Sequence, residues 1–243
     1  MGQSNKRSNK KHSKMHSTAV LYTGGKDSTR AIEMLKRLGH EVSCLITIYS
    51  ENLDSYMLHT ANIKLVELSA QALEIPLYLG TTKGNKEEEL EDVKSAILRA
   101  KDEYGFEVLG SGGLASNYQK TRIEKIANDC GVASICPMWG VDQRNYLNEL
   151  VVSGYRFVLT SVSAGGLDES WLGLEIDNES VVRLTELSKK FNFNAALEGG
   201  EGETLVLDCP IYPRKKLKLI EYTKRWDGYR GKLEITKAEL EMK

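Results

Sequence analysis

Thr23-Gly24-Gly25-Lys26-Asp27-Ser28 lies between an apolar run, Ala19-Val20-Leu21-Tyr22, and an amphipathic one that sets Ile32, Leu35 and Leu38 on a common helical face ahead of Gly39. A short buried strand, a tight glycine turn and a helix start are the parts of a phosphate cradle. Glycine lets backbone N–H groups approach an anion, and the helix N-terminus adds a favourable dipole. The spacing excludes two common cradles. A Walker A loop needs four residues between its first Gly and the Gly-Lys pair, and a dinucleotide fingerprint needs a third Gly that this stretch lacks. A bare connecting turn accounts for two glycines but not for the residues that follow. Lys26 offers a counter-charge, Ser28 a hydrogen-bond donor, and Asp27 a carboxylate that tolerates phosphate only through a shared cation. The stretch predicts a nucleotide or pyrophosphate site.

A chain of 243 residues holds one large domain or two small ones. Its net charge of -1 gives no general reason to expect a nucleic-acid partner. The charge is uneven, however. Residues 1–17 contain Lys6, Arg7, Lys10, Lys11 and Lys14 and no acid. This tail has no apolar stretch, so it reads as a disordered solvated arm and not as a secretory signal. No segment has the length and apolarity of a membrane span. Cys44, Cys130, Cys136 and Cys209 are widely spaced, which suits free thiols in a reducing cytoplasm and neither a disulfide frame nor a zinc site.

Strand and helix signals alternate from Val42 to Asp129 and predict a parallel sheet with helices on both faces. Strands are expected at Val42–Tyr49, Ile75–Leu79 and Glu107–Leu109, and helices at Thr60–Leu73, Glu87–Lys101 and Ser116–Asp129. Ligands of such sheets sit beyond the carboxyl ends of the strands. That rule gathers the loop at 23–28, the segment near Tyr49 and the turn at 110–113 on one rim. The second half is less regular. It predicts helices at Asp142–Val152 and Asn178–Lys190, with strands at Tyr155–Ser161, Thr204–Leu207, Leu217–Tyr222 and Lys232–Ile235. The expected organisation is a tail over 1–17, an α/β domain carrying the phosphate loop over 18–133, and a smaller α/β domain over 134–243.

Three further stretches carry chemistry. His59 precedes a helix that Thr60 is able to cap, and a solvent-facing histidine is an equally good account of it. Asn117, Tyr118, Gln119, Arg122 and Glu124 open a helix after a glycine turn, with Trp139 close behind. They suit either a ligand-reading face or an exposed face with internal ion pairs. Glu198, Glu201 and Glu203 crowd onto a glycine-rich turn before Thr204. Their mutual repulsion favours a cationic guest such as Mg²⁺, ammonium or a cationic substrate over a second phosphate.

The loop resembles the PP-loop, SGGKDS, of the ATP pyrophosphatases, with Thr23 keeping the hydroxyl of the usual Ser. The ordered set Met57–Ile63, Ser116–Glu124, Pro137-Met138-Trp139, Gly166–Gly173 and Glu198–Asp208 is similar to the blocks LLHTPNI, SDYQRxRIE, PLW, GLDExWLG and EGGEYET-LVLD of the diphthine–ammonia ligase family. The resemblance runs from about residue 18 to about 213. It implies a HUP-like parallel-sheet domain, ATP and Mg²⁺, and amidation of diphthine on elongation factor 2 with ammonium. An acyl-adenylate forms, and AMP and pyrophosphate leave. Lys26, Asp27 and Ser28 then carry catalysis, with Asp27 as a Mg²⁺ ligand. Thr23, Gly24, Gly25, Tyr49 and Gly112 hold the nucleotide. His59, the 117–124 set, Trp139, Trp171, Glu198, Glu201, Glu203 and Thr204 meet the acceptor. Diphthine bears a trimethylammonium group, which suits the glutamates and an aromatic face at Trp139, Trp171 or Tyr118. Departures are Asn117 for Asp, Lys120 for Arg and Gly202 for an aromatic residue. A tRNA-modifying enzyme of the same superfamily and a non-catalytic nucleotide sensor are the alternatives. No membrane or nucleic acid is required, a homo-oligomer is compatible with the sequence, and the expected site of action is the cytoplasm.

Overall fold

The computed structural model describes residues 15–50, 65–83 and 88–243. Its first half alternates β1 (Ser17–Leu21), α1 (Lys26–Arg37), β2 (Glu41–Ser50), α2 (Val66–Leu73), β3 (Leu77–Thr82), α3 (Glu88–Tyr104), β4 (Val108–Gly110), α4 (Asn117–Asp129) and β5 (Ala133–Ile135). The strands form a parallel sheet in the order β3-β2-β1-β4-β5. Both faces are covered, so the central strands are buried without alternation: Cys44, Leu45, Ile46, Thr47 and Ile48 of β2 are all buried. The chain runs outward from β1 through β2 to β3 and returns to β4 on the other side. That reversal opens a crevice at the carboxyl ends of β1 and β4, the usual ligand position.

The second half contains α5 (Tyr146–Val152), β6 (Arg156–Val162), α6 (Asn178–Phe191), β7 (Gly202–Asp208), β8 (Lys215–Trp226) and β9 (Gly231–Met242). Its four strands are antiparallel in the order β7-β6-β9-β8. One apolar cluster fills the space between the parallel sheet and α3–α4, with Ile46, Ile97, Leu109 and Ile126 at its centre. A larger one joins Ile32, Leu35 and Leu73 on the opposite face to Phe157, Leu159, Leu205 and Val206 of the antiparallel sheet. The segments 18–133 and 134–243 thus share a core across α1 and α2. A buried polar tie crosses the same seam. The Tyr155 hydroxyl donates to Glu33 Oε2 at 2.7 Å, while Arg30 and Arg37 each reach the Glu33 carboxylate at 2.6 Å.

Element positions depart from the sequence-based expectation where local chemistry overrides pattern. Strand β3 starts two residues late: Glu74 is left-handed at φ 57°, and Pro76 has no N–H to donate, so pairing begins at Leu77. Helix α5 starts at Tyr146 because the Asp142 carboxylate captures the Arg144 N–H in a turn. Three-residue β5 is too short to leave a periodic signal. Strands β8 and β9 extend to 12 residues each as a charged, half-exposed ribbon. Gly202 has no room for a larger side chain: a Cβ there meets the Ser161 carbonyl oxygen at 2.8 Å. No helix among the described residues is long and apolar enough to cross a membrane.

Tyr155→Phe leaves the Glu33 carboxylate buried with one donor fewer. It is expected to lower the unfolding free energy by about 1.5–3 kcal/mol in denaturant titration. Tyr229→Phe, on an 82 % exposed side chain, is the control and is expected to leave the midpoint unchanged.

Candidate active site

Loop 23–28 leaves β1 and enters α1. Gly24 has φ +78°, a conformation that side chains resist, and Gly25 is the residue before the first helical turn. Hydroxyls brace the turn from inside. Thr23 Oγ1 accepts from Gly25 N at 3.4 Å, and Ser28 Oγ lies 3.2 Å from Thr23 Oγ1 and donates to the Gly25 carbonyl at 3.2 Å. Strand β7 braces it from outside. Val206 N donates to the Gly24 carbonyl at 2.9 Å, and Lys26 N donates to Thr204 Oγ1 at 3.1 Å. A third wall comes from the turn after β4, where Gly112 is packed so closely that a Cβ would lie 2.6 Å from Ser28 N.

These walls enclose a cleft of about 810 Å³. Its floor carries Leu21, Ile46, Ile48, Ile97 and Ile126, and its rim carries loop 23–28, Gly112, Tyr118, Gln119, Lys120, Trp139, Glu198, Glu203 and Thr204. Lys26 is 2 % exposed and bonds Asp27 Oδ2 at 2.7 Å, while Asp27 Oδ1 is buried with no hydrogen-bond partner among the described residues. Glu198 accepts from Leu114 N at 3.3 Å. Burial first, and then the Asp27 charge, push its carboxyl up to about 7 against the pull of Lys26. Tyr146 lies buried beside the same Asp27, and burial raises its hydroxyl well above the usual phenol range.

The structure thus brings together most of the predicted loop, Gly112, Tyr118, Gln119, Trp139, Glu198, Glu203 and Thr204. It separates others. Gly24 shapes the loop without lining the cleft, and Tyr49 pairs with Thr81 away from it, its place on the floor taken by Ile46–Ile48. Trp171 is 1 % exposed in the shared core with Arg183 against its ring, so it has no face for a substrate. The Glu201 carboxylate is committed to Gly199 N at 2.6 Å and Asn194 N at 3.0 Å, holding the acidic turn closed. Asn117, Arg122 and Glu124 do not line the cleft; Arg122 stacks on Tyr118, and Glu124 pairs with Lys120 at 3.8 Å. His59 lies outside the described residues. Sequence reasoning missed Leu114 N, Tyr146 and Ser161, whose hydroxyl accepts from Glu203 N at 3.0 Å. None belongs to a motif, and only the fold brings them here.

Family models described as "Diphthamide synthase N-terminal domain" and "Diphthamide synthase C-terminal domain" match residues 15–134 and 142–240. The chain is 34% identical over 211 residues to the protein named diphthine–ammonia ligase of Schizosaccharomyces pombe, across 80% of this chain and 35% of that protein. It therefore spans about a third of that relative's length. Homo sapiens and Danio rerio have proteins of the same name. They are 31% and 32% identical, over 81% and 80% of this chain, and the match takes in 80% and 83% of their own lengths.

Two outcomes follow from the geometry. Gly112→Ala pushes against the backbone at Asp27 and Ser28 and is expected to weaken ATP binding at least about tenfold in calorimetry and to lower the unfolding free energy by about 1–3 kcal/mol. Glu198 holds its proton more tightly folded, at about 7, than at its ordinary 4.5, so its contribution to stability is full below 4.5 and fades as pH rises through 7. Glu198→Gln is expected to flatten the fall in unfolding free energy between those pH values.

Proposed function

The chain belongs to the diphthamide synthase family, and from that premise we propose that it is a diphthine–ammonia ligase. It uses ATP to join ammonia to the carboxylate of diphthine, forming a C–N bond. The observation that carries this reading is a single cleft lined from both halves of the chain, by loop 23–28 on one side and by Glu198, Glu203 and Thr204 on the other. ATP meets the first wall and the acceptor carboxylate the second.

A carboxylate does not react usefully with ammonia, because oxide is a very poor leaving group. Transfer of the adenylyl group to the carboxylate oxygen gives a mixed anhydride and releases pyrophosphate. Ammonia then attacks the carbonyl carbon and AMP departs. The backbone donors of Gly25, Lys26 and Ser28 suit the pyrophosphate, with the α1 dipole and Lys26 adding positive potential. The apolar floor suits the flat face of the base. Asp27 Oδ1, buried and unpartnered among the described residues, fits a Mg²⁺ ion, with Glu198 alongside. When bound, such an ion would supply charge neutralisation. Elongation factor 2 carrying diphthine, ammonium as the nitrogen source and a cytoplasmic setting complete the reading.

The thiolating alternative needs a pair of reactive cysteines, and the thiols here are unsuited to it. Burial pushes Cys44 and Cys209 up to about 12, and Cys136, which does reach the cleft, donates its S–H to the Gly113 carbonyl at 2.8 Å.

With ATP, Mg²⁺, ammonium and diphthine-bearing factor, AMP is expected to appear in step with amidation. Lys26→Met is expected to lower that rate by about a hundredfold or more. AMP formation that requires tRNA and ignores the factor would overturn the proposal.

A further inference from the structure

The mouth of the cleft carries two aromatic rings, each with a basic side chain from α4 against its face. Lys120 Nζ stands 4.3 Å from the centre of the Trp139 ring, and the Arg122 guanidinium carbon stands 3.6 Å from that of Tyr118. The pairs are not equivalent. Arg122 lies outside the cleft lining and holds its guanidinium carbon close over the Tyr118 ring, nearer than Lys120 comes to Trp139. Trp139 and Lys120 both line the cleft. Lys120 also has a second partner one helical turn away, with Glu124 Oε1 at 3.8 Å. The ammonium makes both contacts from one position, so moving off the indole face does not cost it the Glu124 carboxylate.

We propose that the indole face of Trp139 is the seat of the acceptor's quaternary ammonium group, and that Lys120 holds that face only until the substrate arrives. The proposal rests on the diphthine reading and adds to it the residue that selects the cation. Trp171 is closed off in the core and the Glu201 carboxylate is committed within its turn, which leaves Trp139 as the cleft-lining ring with a displaceable occupant.

Exchange has a physical direction. A lysine ammonium is compact and strongly hydrated and has three N–H donors, so it loses little by leaving the ring for Glu124 and water. A trimethylated nitrogen has no N–H to satisfy and is weakly hydrated, so its best partner is a π face. The two cations repel if both stay, which makes departure of Lys120 a condition of binding. Glu198 and Glu203 on the acidic side of the cleft keep its potential favourable to a cation.

Choline and its neutral isostere 3,3-dimethylbutan-1-ol, titrated against the intact chain by calorimetry, separate charge recognition from plain apolar contact. The expected result is that choline binds about tenfold tighter than the isostere, that Trp139→Leu removes the difference, and that Lys120→Met tightens choline several-fold. Equal binding of the two probes, or unchanged choline affinity in Lys120→Met, overturns the proposal. Should Trp139→Leu fold poorly, Lys120→Met, which removes only a half-exposed side chain, still decides it. In steady-state kinetics Trp139→Leu is expected to raise KM for the diphthine-bearing factor while leaving KM for ATP unchanged. An unaltered factor KM sinks the proposal and leaves the ligase reading standing. Wild-type protein that forms no AMP with the factor sinks the ligase reading itself, and the assignment of the cation to the acceptor with it.

Discussion

The hydrogen bonds from Val206 N to the Gly24 carbonyl and from Lys26 N to Thr204 Oγ1 are the join on which the site depends. They stitch the edge strand of the antiparallel sheet to a loop that otherwise belongs wholly to the parallel one. Gly24 needs a left-handed backbone, and Gly25 and Lys26 expose donors that must be satisfied before an anion arrives. Thr23 and Thr204 supply those partners as hydroxyls, so these two N–H groups are capped by oxygen. The same strand begins at Gly202 beside Glu203, which fixes the distance between the acidic wall and the phosphate wall. Cleft, loop and acidic turn therefore sit together over the core shared across α1 and α2.

That arrangement concentrates charge. Lys26 is buried against Asp27, Asp27 keeps one oxygen unpartnered among the described residues, and Glu198 is pushed up to about 7 beside them. Whenever Glu198 has lost its proton, the two carboxylates near one lysine leave an excess of negative charge. That excess explains why the proposed chemistry draws in cations from outside: a metal with the triphosphate, and an ammonium group on the acceptor. Electrostatics alone leaves the order of the guests open, but it does set their sign.

Much of this was legible in the residues. The strand, glycine turn and helix around 23–28 predict the cradle, and alternating patterns to Asp129 predict the parallel sheet. The placement at the strands' carboxyl ends follows from topology. The acidic turn is visible by composition, but not the division of labour within it. Glu201 spends its carboxylate on backbone N–H groups while Glu198 and Glu203 face the cleft, and only three-dimensional packing distinguishes them. Trp171 misleads because a conspicuous aromatic within a motif serves equally well as core. Tyr146, Leu114 N and Ser161 are silent in sequence, since a backbone donor or a buried hydroxyl acquires its role from what folds against it.

The central claim is that a loop of this build directs adenylyl transfer to the acceptor carboxylate. Labelling that carboxylate with ¹⁸O tests it most directly. Adenylation makes the carboxylate oxygen the bridge to phosphorus, and amide formation then breaks the carbon–oxygen bond, so one ¹⁸O per turnover is expected in AMP. Label appearing in inorganic phosphate, or AMP free of ¹⁸O while the amide forms, would contradict the account.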